Sequence, residues 1–141
     1  MHQSKARIRI QAVDANHPVM QALQARTALR AHLKGGKVPE DLSFSDIKEW
    51  PENVWILDSP TSTGAGLLQQ VQCLAGLVVE YEQYFRDLRV IGARIELLCS
   101  ITTTDFVTIF HIPSTTLEVF CRNGIEFGVT ITNLKGIPQS V

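Results

Sequence analysis

Apolar residues recur at intervals of three and four over residues 67–88, on a face that carries no charged side chain. These positions are Leu67, Val71, Leu74, Val78, Tyr81, Phe85 and Leu88. Because an α-helix turns once in about 3.6 residues, this spacing places all of them on one side of a single helix. Their burial is worth roughly 10–20 kcal/mol as an upper bound. We therefore expect this helix to lie on a sheet and to organise the core.

Strict alternation of apolar and polar residues predicts strands on both sides of that helix. In the first strand, residues 5–13, arginines point to one face and isoleucines to the other. Further strands are predicted at residues 54–57, 94–101, 106–112 and 125–132. The strands at 94–101 and 106–112 are expected to form a hairpin, and the last strand is expected to turn its apolar face toward the helices.

Two shorter helices complete the predicted order of elements. The first begins at Pro18, carries Met20 and Leu23 inward, and ends near Leu23 or runs on to Leu33. The second follows Pro113 and stops at a C-terminal Asn-Gly signal, residues 123–124. The pattern predicts one α+β domain over residues 1–141, with a mostly antiparallel sheet of about five strands and helices packed on one face.

Composition fits an ordinary globular protein. The chain has 141 residues, of which 45% are hydrophobic and 19% charged, and its formal net charge is −1. No global field is therefore available to recruit nucleic acid or an acidic membrane. No signal peptide or membrane span is predicted, because the longest apolar patch, residues 74–79, is too short. Three cysteines without a close pair favour reduced thiols and a cytoplasmic location.

The charges are unevenly distributed along the chain. Residues 1–37 hold seven basic residues against one acidic residue, whereas residues 38–58 hold six acidic residues against one basic residue. Either the two segments neighbour each other and neutralise locally, or one of them forms a binding surface of a single sign. Residues 38–53 are predicted to form a long acidic loop insertion, and residues 133–141 a tail.

No catalytic or metal-binding motif stands out. The four histidines lack metal-ligand spacing, and neither HExxH nor CxxC occurs, so no metal and no cofactor are expected. His111 is interpreted as structural; a catalytic role would require Asp105 and Ser100 or Ser114 to converge on it. Residues 62–66 could cap the long helix or hold an anion at its start. Residues 34–37, Lys-Gly-Gly-Lys, could form a turn or touch a phosphate.

The two tryptophans have different settings. Trp55 lies in an apolar strand and is expected in the core, whereas Trp50 lies in the acidic loop. Trp50 could anchor a partner, because a tryptophan offers a large contact area at low entropic cost, or it could fold back as a lid on the core. The predicted partner-binding residues are Asp41, Asp46, Glu49, Trp50 and Glu52.

Several short motifs resemble a known family. They are the opening Ala-Arg-Ile-Arg-Ile strand, a helix with Met20 and Leu23, Lys34-Gly35, the segment 54–59 (VWILDS), the segment 95–99 (IELLC) and the segment 124–127 (GIEF). Over residues 5–132 the chain resembles the bacterial family catalogued as domain of unknown function 4279, with an acidic insertion at 38–52 as its departure. The resemblance implies a fold and a bacterial source and supplies no catalytic residues. In size and style the chain is also similar to immunity proteins paired with bacterial toxins.

These observations lead to a main hypothesis and two alternatives. The main hypothesis is a non-catalytic protein-binding module, an immunity-type protein that binds and neutralises a cognate toxin. The acidic residues would then compete with the acidic substrate of a basic toxin and speed encounter. The alternatives are a small ligand-binding domain or enzyme that uses a pocket between sheet and helices, and a domain that self-associates through an open sheet edge. A monomer or a weak homodimer is expected.

Overall fold

Strand β1 lies at the centre of a five-stranded sheet. The computed structural model describes residues 2–39, 48–60, 65–105, 107 and 109–134. Its strands are β1 (His2–Gln11), β2 (Arg30–His32), β3 (Val54–Asp58), β4 (Arg94–Thr103) and β5 (Glu126–Asn133). The sheet order is β2-β3-β1-β4-β5, and every neighbouring pair is antiparallel except β4 and β5, which are parallel. The predicted α+β class with a mostly antiparallel sheet is confirmed.

Alternation along the strands gives the sheet two different faces. On one face, Ile8 of β1 lies beside Leu57 of β3 and Leu97 of β4, and all three are buried. We call this the helix face, because the buried residues of the helices join it in one apolar core. The opposite face carries Arg7 and Arg9, and we call it the open face.

Four helices from the described residues pack on the helix face. They are α1 (Pro18–Arg26), α2 (Leu67–Glu80), α3 (Glu82–Val90) and α4 (Ser114–Arg122). The imidazole Nδ1 of His17 accepts a hydrogen bond from the Val19 N–H and caps α1, whose first residue is Pro18. Helix α1 ends at Arg26, close to the nearer of its two predicted ends. No helix in the described part of the chain is long and apolar enough to cross a membrane.

The predicted long helix is divided into α2 and α3 at Tyr81. The backbone of Tyr81 leaves helical geometry, with φ −111° and ψ 27°. Its hydroxyl donates to the carbonyl of Arg26 at the end of α1, at 3.2 Å. The change of direction lets α3 pack against α1, while Val71, Leu74 and Val78 of α2 stay buried as predicted. Residue periodicity could not show the break, because the apolar spacing continues through it.

The predicted hairpin between 94–101 and 106–112 is wrong. The described residues of the second segment form no strand, and its Phe110 and Ile112 pack on the core. Both sides of β4 are already occupied by β1 and β5, so no position remains for an additional strand. The chain instead passes through α4 and returns parallel to β4. Gly124, with φ +66°, makes the turn that the Asn-Gly signal predicted.

Glu82 fastens the helices to one another. Its carboxylate accepts hydrogen bonds from Arg122 and Asn123 at the end of α4 and from Arg86 of α3. The hydrogen bond from Arg122, followed by that from Asn123, lowers the pKa of Glu82 from its ordinary value of 4.5. Since the folded pKa is depressed, this stabilisation is present above the unfolded pKa and is lost as the pH falls through the folded pKa.

Gln70 of α2 forms hydrogen bonds with the main chain in the first half of β1, where the pairing with β3 ends. The pairing of β1 with β3 starts at Arg7, and beyond it the Ser59 N–H donates to the Ala6 carbonyl at 3.3 Å. The buried side chain of Gln70 accepts from the Ala6 N–H at 2.9 Å and donates to the Ser4 carbonyl at 2.9 Å. Two main-chain groups of the central strand therefore depend on one glutamine.

We expect Gln70→Leu to lower the free energy of unfolding by about 2–4 kcal/mol, because it leaves buried main-chain groups of Ala6 and Ser4 without partners. Gln69→Leu is the matched control: Gln69 is exposed on the same helix, and its change should stay within about 0.5 kcal/mol. Urea denaturation of both variants measures the difference. Equal losses for the two variants would contradict the role given to Gln70.

Candidate binding surfaces

The predicted acidic insertion leaves the sheet through a paired stem. The Val38 N–H donates to the Lys48 carbonyl, and the Trp50 N–H donates to the Gly36 carbonyl, each at 2.9 Å. Residues 40–47 lie outside the described residues, and with them the predicted partner-binding Asp41 and Asp46. The stem fixes the start and the end of the insertion on the open face of the sheet.

Trp50 folds back on the protein. It packs with Val38, Val54 and Ile56 in a small apolar cluster on the open face. Its ring centroid lies 5.0 Å from that of His32. Trp50 is half-buried, in agreement with the lid interpretation, although the lid covers the open face and not the main core.

The other two described members of the predicted partner surface differ in their contacts. Glu49 is exposed and lies opposite Lys37 in the stem. The carboxylate of Glu52 lies 3.2 Å from Arg94 Nη2. Glu52 is thus compensated by a cation from β4, which leaves Glu49 as the more available of the two.

One half of the open face is balanced in charge. Arg9 donates through Nη2 to both carboxylate oxygens of Glu96, each at 3.0 Å. Arg94 lies 3.8 Å from Glu96 and also pairs with Glu52. Two cations therefore meet two carboxylates, but these pairs do not join the basic segment 1–37 to the acidic segment 38–58, because Arg94 and Glu96 lie outside both.

The other half of the open face holds an excess of positive charge around Asp58. Arg30 Nη2 lies 2.8 Å from Asp58 Oδ2, Arg7 Nε lies 3.0 Å from Oδ1, and Lys5 Nζ lies 3.9 Å from Oδ2. We call these four residues the Asp58 cluster. Three cations share one carboxylate, so the cluster carries a formal charge of +2. Sequence reasoning missed it, because its members lie far apart along the chain and meet through strand register.

A cavity of about 340 Å³ opens at the end of β1. Its charged and polar lining residues are Asp14, His17, Lys34, Glu52 and Asn53. Ala12 at its rim has φ +63°, a left-handed conformation that is unusual for a residue with a Cβ. The cavity lies at an end of the sheet, and neither His111 nor Asp105 lines it.

The remaining candidates from the sequence are structural or lack a ligand set. Residues 34–37 form a turn, in which the Gly36 N–H donates to the Leu33 carbonyl. Gly66 caps α2 without a side-chain hydrogen bond, and residues 62–64 lie outside the described residues. Both His111 and Asp105 are exposed. Within the described residues, no group of three or more His, Cys, Asp or Glu side chains could hold a metal ion.

Strand β5 leaves its apolar face uncovered. Phe127, Val129 and Ile131 lie on the helix face, as predicted, but they are 46%, 40% and 55% exposed. Helix α4 packs against α2, and the helices do not bury these side chains. Alternation in the sequence gave the direction of this face correctly but could not show that the helix layer ends before it.

The three cysteines are free, and only Cys99 is buried. Burial raises the pKa of the Cys99 thiol from 9.0 to about 11. The folded protein therefore keeps the Cys99 thiol protonated at pH values at which the unfolded chain would begin to ionise it. The folded protein therefore loses stability as the pH rises above the unfolded pKa, where the unfolded chain ionises first.

We expect a thiol reagent at pH 8 to modify the exposed Cys121 rapidly and Cys99 only after unfolding, because the thiolate is the reactive form. Mass spectrometry of peptides from native and urea-unfolded protein measures both sites. The variant Cys121→Ser should lose modification at residue 121, while that of the partly exposed Cys73 and of the buried Cys99 stays unchanged. Rapid modification of Cys99 in the native protein would contradict its assigned burial.

Comparisons with protein-family models, with curated proteins and with solved structures find no match for this chain.

Proposed function

We propose that this chain is a non-catalytic protein-binding module and that its partner docks on β5. The observation that supports the proposal is the row of three apolar side chains on β5 that the helices leave exposed. Contiguous apolar surface of this kind is costly to expose to water and typically marks an interaction site.

The outer edge of β5 suits the addition of a strand. Among the described residues, β5 pairs with β4 alone, so it is an edge strand. Its eight residues, Glu126–Asn133, include no proline or lysine and no charge on the helix face, the devices that usually protect an edge. A partner strand would gain main-chain hydrogen bonds from the edge and apolar contacts from Phe127, Val129 and Ile131.

As the partner we propose a cognate toxin, which this chain would neutralise in the bacterial cytoplasm. The support is the similarity in size and style to immunity proteins, together with the free cysteines, which suit a reducing compartment. The acidic segment with Asp41, Asp46 and Glu49 would add electrostatic attraction for a basic partner. It would be a secondary contact, because its stem packs on β3 at the open face and not on β5.

We expect Val129→Lys to weaken the complex at least about thirtyfold, about 2 kcal/mol, because it places a charge in the centre of the apolar contact. The matched control is Thr130→Lys, which adds the same charge to the exposed opposite face of the strand and should change the dissociation constant less than about threefold. Calorimetry with the product of the neighbouring gene measures both variants.

The outcomes separate the parts of the proposal. No complex with the neighbouring product contradicts a toxin partner, and equal affinities for the two lysine variants contradict docking on β5. Charge reversal at Asp41, Asp46, Glu49 and Glu52 should reduce the association rate and its salt dependence. Light scattering that shows a stable dimer of the free chain, dissociated by Val129→Lys, would favour self-association through the same strand.

The cavity supports a second candidate, a small-ligand site. Lys34 offers a cation and Asn53 an amide to a ligand there, while the carboxylates of Asp14 and Glu52 line the same cavity. A thermal-shift screen of carboxylates and phosphates, repeated with Asn53→Ala, tests this alternative. Binding that disappears in Asn53→Ala while complex formation persists would assign the two activities to different surfaces.

A further inference from the structure

The Asp58 cluster differs from the other charged groups of the open face because its positive charges outnumber its negative charge. Arg9 and Arg94 are matched by Glu96 and Glu52. Asp58, by contrast, faces Lys5, Arg7 and Arg30 at once. The excess of two positive charges is therefore local to the strands β1, β3 and β2, and does not belong to the face as a whole.

Arg7 contributes to this excess a guanidinium group whose donors the protein leaves largely unused. Its side chain is only 11% exposed, although a guanidinium group always carries its charge. Its Nε lies close to Asp58 Oδ1, but the geometry does not satisfy a hydrogen bond, since Oδ1 is left without one. Within the described residues its two terminal nitrogens make no hydrogen bond to a protein acceptor, and neither is among the buried polar atoms that lack a partner. These two donors are therefore open to solvent and available to a ligand.

The neighbouring cations extend this fork. Arg30 uses Nη2 toward Asp58, and its side chain is 47% exposed; Lys5 is 48% exposed and lies at the outer distance of an ion pair. Both can therefore turn part of their donor capacity toward a ligand above the sheet. Asp58 holds the three cations together and prevents their mutual repulsion from dispersing them.

We propose that Lys5, Arg7 and Arg30 bind a phosphate dianion, either inorganic phosphate or the terminal phosphate of a monoester. Planar guanidinium groups match the oxygens of such an anion in pairs, and its charge of −2 neutralises the excess of the cluster. An internal phosphodiester carries a single charge and fits less well. This site lies on the open face and is independent of the proposed partner surface on β5.

The experiment is a titration of ¹⁵N-labelled full-length protein with inorganic phosphate at constant ionic strength. We expect saturable shifts of the amides of Arg7, Arg30 and Asp58, and weakening of about tenfold in Arg30→Gln, the loss of one charge-assisted hydrogen bond. The matched control is Arg86→Gln, which also removes one arginine from a carboxylate, that of Glu82. The affinity of Arg86→Gln for phosphate should equal that of the wild type.

Further arms distinguish the source of the phosphate. A nucleoside monophosphate and a phosphoserine peptide are titrated beside inorganic phosphate, and tighter saturation by one of them identifies the monoester. Lys5→Gln provides a second variant at the cluster, which keeps the test independent of the folding of Arg30→Gln. Amide shifts that rise linearly with phosphate concentration and match those caused by sodium chloride would overturn the proposal. So would equal phosphate affinities for Arg30→Gln, Lys5→Gln and Arg86→Gln.

Discussion

The register between β1 and β4 is the constraint on which the rest of the structure depends. These strands pair along the full length of β1, with Ile8 beside Leu97 and Arg9 beside Glu96. Because side chains alternate, a shift by one residue would turn the isoleucines to the open face and the arginines into the core. The same pairing thus fixes the buried core and the charged face. Gln70 supports this pairing, because its side chain forms hydrogen bonds with Ser4 and Ala6 in the half of β1 that does not pair with β3.

The described helices pack on only one face of this sheet, so the charged side chains of the other face must pair with one another or with water. At the balanced end, Arg9 donates through one nitrogen, Nη2, to both oxygens of Glu96. At the other end, strand order brings β2 and β1 to opposite sides of β3, so Arg30 and Arg7 converge on Asp58 from two directions. The positive excess is therefore a result of topology, and it arises although the whole chain carries a net charge of only −1.

The sequence predicted those elements that form because of their own residue pattern. It missed the features that depend on contacts with other elements. Alternation was sufficient for β1 and β4, and capping signals were sufficient for the start of α1 and the end of α4. The short β2 has no pattern of its own and exists through its pairing with β3. The run 106–112 has strand-like residues, but β4 offers no free side to it. Likewise, Trp50 and Glu49 were visible as candidates, whereas the Asp58 cluster depends on registers that periodicity does not encode.

The two proposed surfaces are separated by the sheet itself. Phe127, Val129 and Ile131 lie on the helix face at one edge, whereas Lys5, Arg7 and Arg30 lie on the open face toward the other edge. From β1 to β5 the distance is two strand spacings, and from β2 it is four, which gives about 10–20 Å. The Debye length at physiological ionic strength is about 8 Å, so a phosphate at one surface would alter the electrostatics of the other only weakly. Both ligands could therefore be bound at the same time, and any strong coupling between them would require a rearrangement of the packed sheet between the two sites.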